Sequence, residues 1–465
     1  MVRSALPAQA RTSGRASVHR RRPFIALAHV RLSGTLGLLV VVWSVLVCPS
    51  ELHAQDNPVS PLEGRVIDEI RLIGVEYTRE FVVTRELTSC VGEPYLIAKA
   101  RQDVELLKRL DIFSRVDVHA VEESGRIVLE VDVAEATPIL PIPALRLTDE
   151  DGLQIGAGVK AINAFHRAIS ASAIAMFGGA TNVEVKGRDP WVTGNRIGLE
   201  ASFVYRDRFN SLFDFGEKSF EIYANASTYL SEHWRANVRA AFTPLASDSS
   251  GITLDPDNTD EIMMVGASVE YDTRDSWSNP HAGWWNEVVL IRSGALVGDS
   301  DFWRLILDAR RYVPIRRHVS LLITSLWTLT SGAVGEEVAV WQQFGLGGTN
   351  SVRGWSLGSR TGKNQTINTA ELRWNIREPK ATKVLMLKGS LGFQVAMFAD
   401  LGHAWNRSDE FALDNFIGGY GVGFRLLVTG MGLVRFDVAL GEPGASLQFH
   451  VGGGEKAVRQ RYRVR

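Results

Sequence analysis

The chain has 465 residues and a mass of 51.3 kDa, with 45% hydrophobic and 22% charged residues, an ordinary globular composition that is too apolar for a disordered chain. Its 51 basic and 52 acidic residues leave no basic field for nucleic acid. A mean hydropathy of −0.01 excludes a bundle of spanning helices, each needing about 20 apolar residues, and two cysteines, Cys48 and Cys90, exclude a disulfide framework.

Residues 1–54 read as a signal peptide. Arg3, Arg11, Arg15, Arg20, Arg21, Arg22 and Arg31 precede any acidic residue, an apolar core runs from Leu32 to Val47, and Leu52-His53-Ala54 offers a small-residue cleavage site. A membrane anchor is the competing reading, but the core is short for a span. Arg21-Arg22-Pro23-Phe24-Ile25 resembles a twin-arginine signal by chance, because export in a folded state does not suit the strand pattern of the rest of the chain. Cleavage removes Cys48 and leaves Cys90. Residues 55–62 read as a linker.

Residues 63–137 hold a small α/β module. Arg65–Ile73 is expected as a strand ended by Gly74, then a helix capped by Thr78 and running to about Ser89. Gly92-Glu93-Pro94 breaks the chain. A second helix spans Ile97–Leu110, with Ala100, Val104, Leu107 and Leu110 at helical spacing. Val116–Ala120 and Ile127–Val133 alternate around a Ser124-Gly125 turn and form a hairpin. Cys90 is expected as a small buried hydrophobe. The combination Ile67-x-x-Ile70-x-Leu72-x-Gly74 with Leu110-Asp111-Ile112-Phe113-Ser114-x-Val116 resembles a POTRA domain, a periplasmic module of outer-membrane assembly and secretion proteins. Residues 138–149 read as a second linker.

From 150 to 453 the hydrophobic period is two. Ile197, Leu199, Ala201, Phe203 and Tyr205 alternate with Gly198, Glu200, Ser202 and Val204, and similar segments recur to Leu447–Val451. Segments of about ten residues with one apolar face mark transmembrane strands. Trp191, Trp284, Trp285, Trp303, Trp341, Trp374 and Trp405 stand near segment ends, as interfacial aromatics do. Hydrocarbon offers no partner to a strand edge, so the sheet must close. The expected fold is mainly β: a transmembrane antiparallel β-barrel of about sixteen strands, at roughly 19 residues per strand and loop, preceded by one small α/β POTRA-like domain. The long segment 331–367 should lie outside the cell and therefore come after an odd strand, yet it comes after the tenth recognisable one. The missing strand is placed in Pro244–Glu261. A multi-domain β-sandwich or a propeller is the soluble alternative, but no linker interrupts the stretch. Residues 454–465 form a basic tail.

Within the long loop stands Gly347-Gly348-Thr349-Asn350-Ser351-Val352-Arg353-Gly354-Trp355. Glu371 comes next in Ala370-Glu371-Leu372-Arg373-Trp374, then Phe398-Ala399-Asp400-Leu401-Gly402. Tyr271-Asp272-Thr273-Arg274-Asp275…Pro280…Gly283, Gly419-Tyr420-Gly421-x-Gly423-x-Arg425 and Arg435-Phe436-Asp437 complete a set that resembles the BamA/TamA superfamily over about residues 63–453. A loop folded back into a barrel buries its arginine, and a buried guanidinium needs carboxylates that match its planar fork. Asp400 and Glu371 are the candidate partners of Arg353, Phe398 is its stacking face, and Gly402 belongs to the same strand motif. Gly347, Gly348 and Gly354 permit tight turns beside Val352 and Trp355. Asp272 and Asp275 serve a turn rather than a cation.

The resemblance implies an outer-membrane assembly factor, not an enzyme, with neither metal nor cofactor. Its POTRA-like domain would lie in the periplasm. Its partners would be outer-membrane lipids, unfolded outer-membrane or secreted polypeptides and periplasmic accessory proteins, with no nucleic acid. Client strands would enter at a seam for which Gly419, Gly421, Gly423 and Phe449 are the candidates, glycine-rich strands pairing weakly. A secretion pore of the same superfamily and a passive channel are the alternatives. Familiar members carry two or more POTRA modules and end on an aromatic; in this chain one module is found, and Phe449 precedes the basic tail.

Overall fold

The computed structural model describes residues 61–192, 196–276, 279–384, 387–428, 432–443 and 448–453. The signal-peptide reading of 1–54, most of the linker at 55–62 and the basic tail lie outside them.

The N-terminal module runs β1 (Glu69–Ile73), α1 (Glu80–Thr84), α2 (Ile97–Arg109), β2 (Phe113–Glu123) and β3 (Arg126–Glu135). Strand β3 is central, parallel to β1 and antiparallel to β2. Its apolar side chains Leu129, Val131 and Val133 pack with Val82, Val83 and Leu107 from the helices. Helix α1 is shorter than its sequence pattern. The β-branched run Val82-Val83-Thr84 lowers helical preference, and the buried Asp103 accepts hydrogen bonds from the amides of Thr88 (2.5 Å) and Ser89 (3.3 Å), holding that segment in a turn. Thr78 is not the cap: Arg79 occupies that position, and the Thr78 hydroxyl accepts from Asn163 Nδ2 at 2.9 Å. Cys90 is exposed rather than buried, because the same turn carries it outward.

Next comes a sixteen-stranded antiparallel sheet. Its first eleven strands are β4 (Ile139–Thr148), β5 (Gly152–Ala164), β6 (Ile169–Gly178), β7 (Ala180–Asp189), β8 (Gly198–Asn210), β9 (Phe215–Tyr229), β10 (Trp234–Ser247), β11 (Thr259–Asp272), β12 (Gly283–Gly298), β13 (Trp303–Arg316) and β14 (Val319–Thr330). A long loop holds the small hairpin β15 (Phe344–Leu346) and β16 (Arg360–Gly362). The sheet resumes with β17 (Asn364–Val384), β18 (Leu387–Trp405), β19 (Ile417–Val428), β20 (Gly432–Leu440) and β21 (Gln448–Gly453). Every strand pairs with its predecessor in the sheet, and the curl brings β21 back beside β4. At that junction no hydrogen-bonded ladder is found among the described residues.

The structure corrects two expectations. Residues 138–149 are not a linker: β4 pairs with β5 from Ile139↔Ala161 to Thr148↔Gly152. Pro141 and Pro143 disguised it, since proline in a sheet is confined to edges, and β4 is the edge. The uncounted strand is therefore β4, and Pro244–Glu261 instead holds the β10–β11 turn and its flanks. With β4 counted, the long loop comes after the eleventh strand of the sheet.

Nor does the module hang on a tether. Ile162 and Ala168, from the β5–β6 hairpin, lie in its core, and Arg79 N donates to His166 O. Arg85 lies over the Trp191 ring at the β7–β8 connection, 5.0 Å from its centroid. Beside it, burial lifts the Glu86 carboxyl above the ordinary carboxylate range.

The faces of the sheet are inverted relative to a soluble protein. Its outer face exposes Ile155 (60%), Val238 (65%), Trp374 (55%), Met397 (59%) and Val422 (51%), while Gln154, Asn237, Glu371 and Arg425 are buried inside. The tryptophans divide. Trp284, Trp303 and Trp374 face outward. Trp285 is buried under Arg310, its indole N–H on Glu270, and Trp341 is buried with its N–H on Asp260.

Candidate functional site: a loop tip locked to the inner wall

Alternation places every second residue of β17–β20 on the inner wall, and register aligns them into rows. One row is Thr369, Asp400 and Gly419; the next is Glu371, Phe398, Gly421 and Ala439; a third is Arg373, Ala396, Gly423 and Asp437. Charged and aromatic residues thus alternate with glycine and alanine, which leaves a shallow bed along the wall.

The long loop descends into that bed. Val338, Ala339 and Trp341 pack on inner-wall residues including Ile262, Met264, Ile291 and Ile306. The β15–β16 hairpin then presents a tip at 347–358. Gly347 (φ +111°) and Gly354 (φ +86°) bend the chain where no side chain fits: a Cβ on the first would stand 1.8 Å from Ser356 O, and on the second 2.5 Å from the Leu440 carbonyl carbon. Gly348 donates to Trp355 O at 2.6 Å, closing the turn. Thr349 donates through its amide (2.7 Å) and hydroxyl (3.0 Å) to Asp149 at the end of β4, the Trp355 indole donates to Gly418 O at 2.7 Å, and Glu442 N donates to Gly354 O at 2.8 Å. Val352 is fully buried with Leu346, Ala404 and Ile417. A Cβ on Gly402 would lie 2.8 Å from its methyl, so that glycine makes the pocket.

Arg353 projects from the tip into the wall, and its residue is 3% exposed. Its Nε and Nη2 donate to the two oxygens of Asp400 at 2.7 and 2.8 Å, a two-pronged pair. Nη1 donates to Asp437 at 3.0 Å and reaches Glu371 at 3.5 Å. The guanidinium carbon lies 3.3 Å from the centre of the Phe398 ring, well within cation–π range. The carboxylates are themselves fixed. Thr369 Oγ1 donates to Asp400 at 2.8 Å, Arg373 Nε to Glu371 at 2.8 Å, and Arg425 both to Glu371 at 2.8 Å and to Asp437.

The geometry therefore brings Arg353, Asp400, Glu371 and Phe398 together. It also recruits Asp437, Arg425 and Arg373, to which the motif reading gave no role. The signal was in the alternation: 371 and 373, 398 and 400, and 435 and 437 share a face at spacing two.

The glycines of β19 do something other than expected. Gly419, Gly421 and Gly423 are not at the seam: β19 is paired to β18 along its length and to β20 from Tyr420 to Val428, and among the described residues the junction without a ladder is β21–β4. They clear the bed instead. A Cβ on Gly419 would meet Arg353 O at 1.9 Å; on Gly421, Val438 O at 2.1 Å and the Phe398 ring at 2.7 Å; on Gly423, Asp437 at 1.9 Å. Phe449 does lie on the seam strand β21, opposite Val438.

At the β11–β12 turn, Arg274 pairs two-pronged with Asp272 (2.9 and 2.8 Å), and Asp275 accepts from His281 N at 2.8 Å, so both acids order the turn. Among the described residues no His, Cys, Asp or Glu cluster has the shape of a metal site.

A family model described as the Omp85 superfamily domain matches residues 163–456. A curated relative, the outer membrane protein assembly factor BamA of Nitratidesulfovibrio vulgaris, is 22% identical over 363 residues, covering 75% of this chain. The aligned region is 45% of that relative, less than half its length. Among solved structures, BamA from Haemophilus ducreyi lacking POTRA domains 1–3 aligns with a TM-score of 0.55 at 15% identity, covering 84% of each chain. CdiB from Escherichia coli aligns at 0.57 and 14%, covering 84% of this chain and 76% of that one. CdiB from Acinetobacter baumannii aligns at 0.53 and 14%, covering 84% and 73%. At these identities the structural matches speak to the fold.

Proposed function

The chain belongs to the Omp85 superfamily, and from that membership we propose that it is an outer-membrane barrel that assists the insertion of other polypeptides. The observation that carries the reading is the junction of β21 with β4 in a sheet whose outer face is apolar and whose inner face is polar and locked. An apolar exterior around buried charge suits hydrocarbon on the outside. A barrel that only had to persist there would hydrogen-bond every edge.

The junction is built to stay loose. Pro141 and Pro143 stand two residues apart on β4, so they share one edge of the strand. The other edge is committed to β5 along its whole length. The edge facing β21 therefore lacks two amide donors. A client strand with free donors and acceptors can pair with such an edge by strand addition. The N-terminal module, fused to the β5–β6 hairpin by a shared core, stands at the end of the barrel where β4 begins. We assign it as a POTRA-like periplasmic domain that delivers clients to β4. The long loop fills the interior from the opposite side, which argues against a passive channel. No catalytic step or cofactor is part of this function, and lipids of the outer membrane contact the apolar face.

The test is assisted folding. The full chain, with Cys90→Ser, is placed in liposomes with an unfolded client barrel, and a disulfide is engineered between Ala144 of β4 and a cysteine on β21. Accelerated client folding should be lost in the oxidised form and return with reductant. Activity indifferent to the bond would contradict the seam. Voltage-dependent conductance without any effect on client folding would favour the secretion-pore reading.

A further inference from the structure

Four guanidinium groups, of Arg310, Arg353, Arg373 and Arg435, and two carboxylates, of Asp308 and Glu371, line a cavity behind the loop tip. Arg310 is matched by Asp308 in a two-pronged pair at 3.0 and 2.7 Å. Arg353 is matched by Asp400. Arg373 and Arg425 share Glu371, and Arg425 also holds Asp437. Arg435, on β20, is the remaining cation. Its nearest carboxylate oxygen, Asp437 Oδ2, is 3.8 Å away and already engaged by Arg353, while Arg425 holds Oδ1. Its Nε is buried without a partner, and its Nη2 reaches only neutral oxygens, Thr349 O at 3.3 Å and Asn350 Oδ1 at 3.5 Å.

The cavity that Arg435 borders has about 90 Å³ of water-accessible space. Thr349, Asn350 and Ser351 of the loop tip line one side, and Thr369 and Arg373 of β17 line another. That is room for several waters. A buried cation without a full counter-charge is costly, and the geometry that best completes a guanidinium is a planar or tetrahedral oxyanion. The hydroxyls of Thr349, Ser351 and Thr369 are already given to Asp149, the Gly347 carbonyl and Asp400, so Arg435 is the donor that would hold such an anion.

We propose that this cavity binds a small oxyanion of the phosphate class between Arg435 and the loop tip. The bound anion ties the tip to β20 and reinforces the lock at Arg353. The inference does not depend on which polypeptide the barrel handles. Two sources share the chemistry, free phosphate and the phosphate of a lipid headgroup.

The full chain in zwitterionic detergent is titrated with inorganic phosphate and, separately, with glycerol 3-phosphate at constant ionic strength set by chloride. Unfolding is followed by tryptophan fluorescence and heat-modifiable migration. The expected result is a saturable rise in unfolding temperature, with an apparent Kd at least tenfold weaker in Arg435→Gln and partly retained in Arg435→Lys. A response to phosphate alone marks the free ion as the ligand, and a response to the ester marks a headgroup. Should Arg435→Gln fail to fold, Asn350→Asp places a carboxylate beside Arg435 and should abolish the effect with the fold intact. No saturable response, or one that these substitutions leave unchanged, overturns the proposal.

Discussion

Arg353→Ala is expected to insert into the membrane but to lose the proposed assistance to client folding, and its heat-modifiable transition should fall to a lower temperature. The substitution removes the tip side chain that reaches Asp400, Asp437 and Glu371 together. Breaking a buried pair from one side costs about 3–5 kcal/mol, because the partner charge is stranded. Asp400 is the carboxylate most exposed to that loss: Arg353 supplies both prongs, and the backbone amide at 353 and the Thr369 hydroxyl are the donors left to it among the described residues. Glu371 and Asp437 keep Arg373 and Arg425. The expected rescue rests on the same inequality. Asp400→Asn on the Arg353→Ala background removes the stranded charge and restores part of the stability, yet not the activity, because the tip is still unanchored. Arg353→Lys should fall between, since an ammonium cannot make the two-pronged pair. Unchanged migration and full activity in Arg353→Ala would defeat the account.

The second large effect comes from a methyl group. Gly419→Ala should release the tip with every charged partner intact. The added Cβ would stand 1.9 Å from the Arg353 carbonyl oxygen, so either the tip or β19 must shift, an overpacking cost of about 1–3 kcal/mol. The adjacent Gly418→Ala is the control. Gly418 faces the opposite side of the strand, and the nearest atoms to its Cβ are 3.7 Å away, ordinary contact. A glycine-rich strand that merely pairs weakly would respond to both substitutions alike. A bed for the tip responds to Gly419 alone, in unfolding temperature and in client folding together. Equal behaviour of the two variants would return these glycines to a general role in strand looseness.

Much of this architecture is legible in the sequence because membrane strands obey a strict period. Two-residue alternation reveals the barrel, and the same alternation assigns Glu371 and Asp400 to the inner wall before any fold is seen. The loop motif with its arginine then needs an acidic wall, which limits its partners. What was not legible depends on contacts between distant segments. Strand β4 is hidden by Pro141 and Pro143, which read as a linker and are tolerated only because the strand is an edge. Thr78 reads as a helix cap, but the β5–β6 hairpin supplies Asn163 as a better partner. The glycines of β19 read as weakness, whereas their meaning is steric and is set by a loop about seventy residues upstream. Alternation puts Asp437 and Arg425 on the inner face, but nothing local marks that they meet on a diagonal across β19 and β20.

The central claim is that the tip resides inside the barrel, held against β18. Cysteines at Val352 and Gly402, in a Cys90→Ser chain, test it in intact cells. The Val352 methyl already lies within 2.8 Å of where a Gly402 side chain would begin. The account predicts that the pair cross-links in the assembled protein and that a membrane-impermeant maleimide added outside labels neither residue. It predicts the reverse, little cross-link and ready labelling at 352, once Arg353→Ala is added. A cysteine at 352 that labels from outside without cross-linking while Arg353 is intact would contradict it.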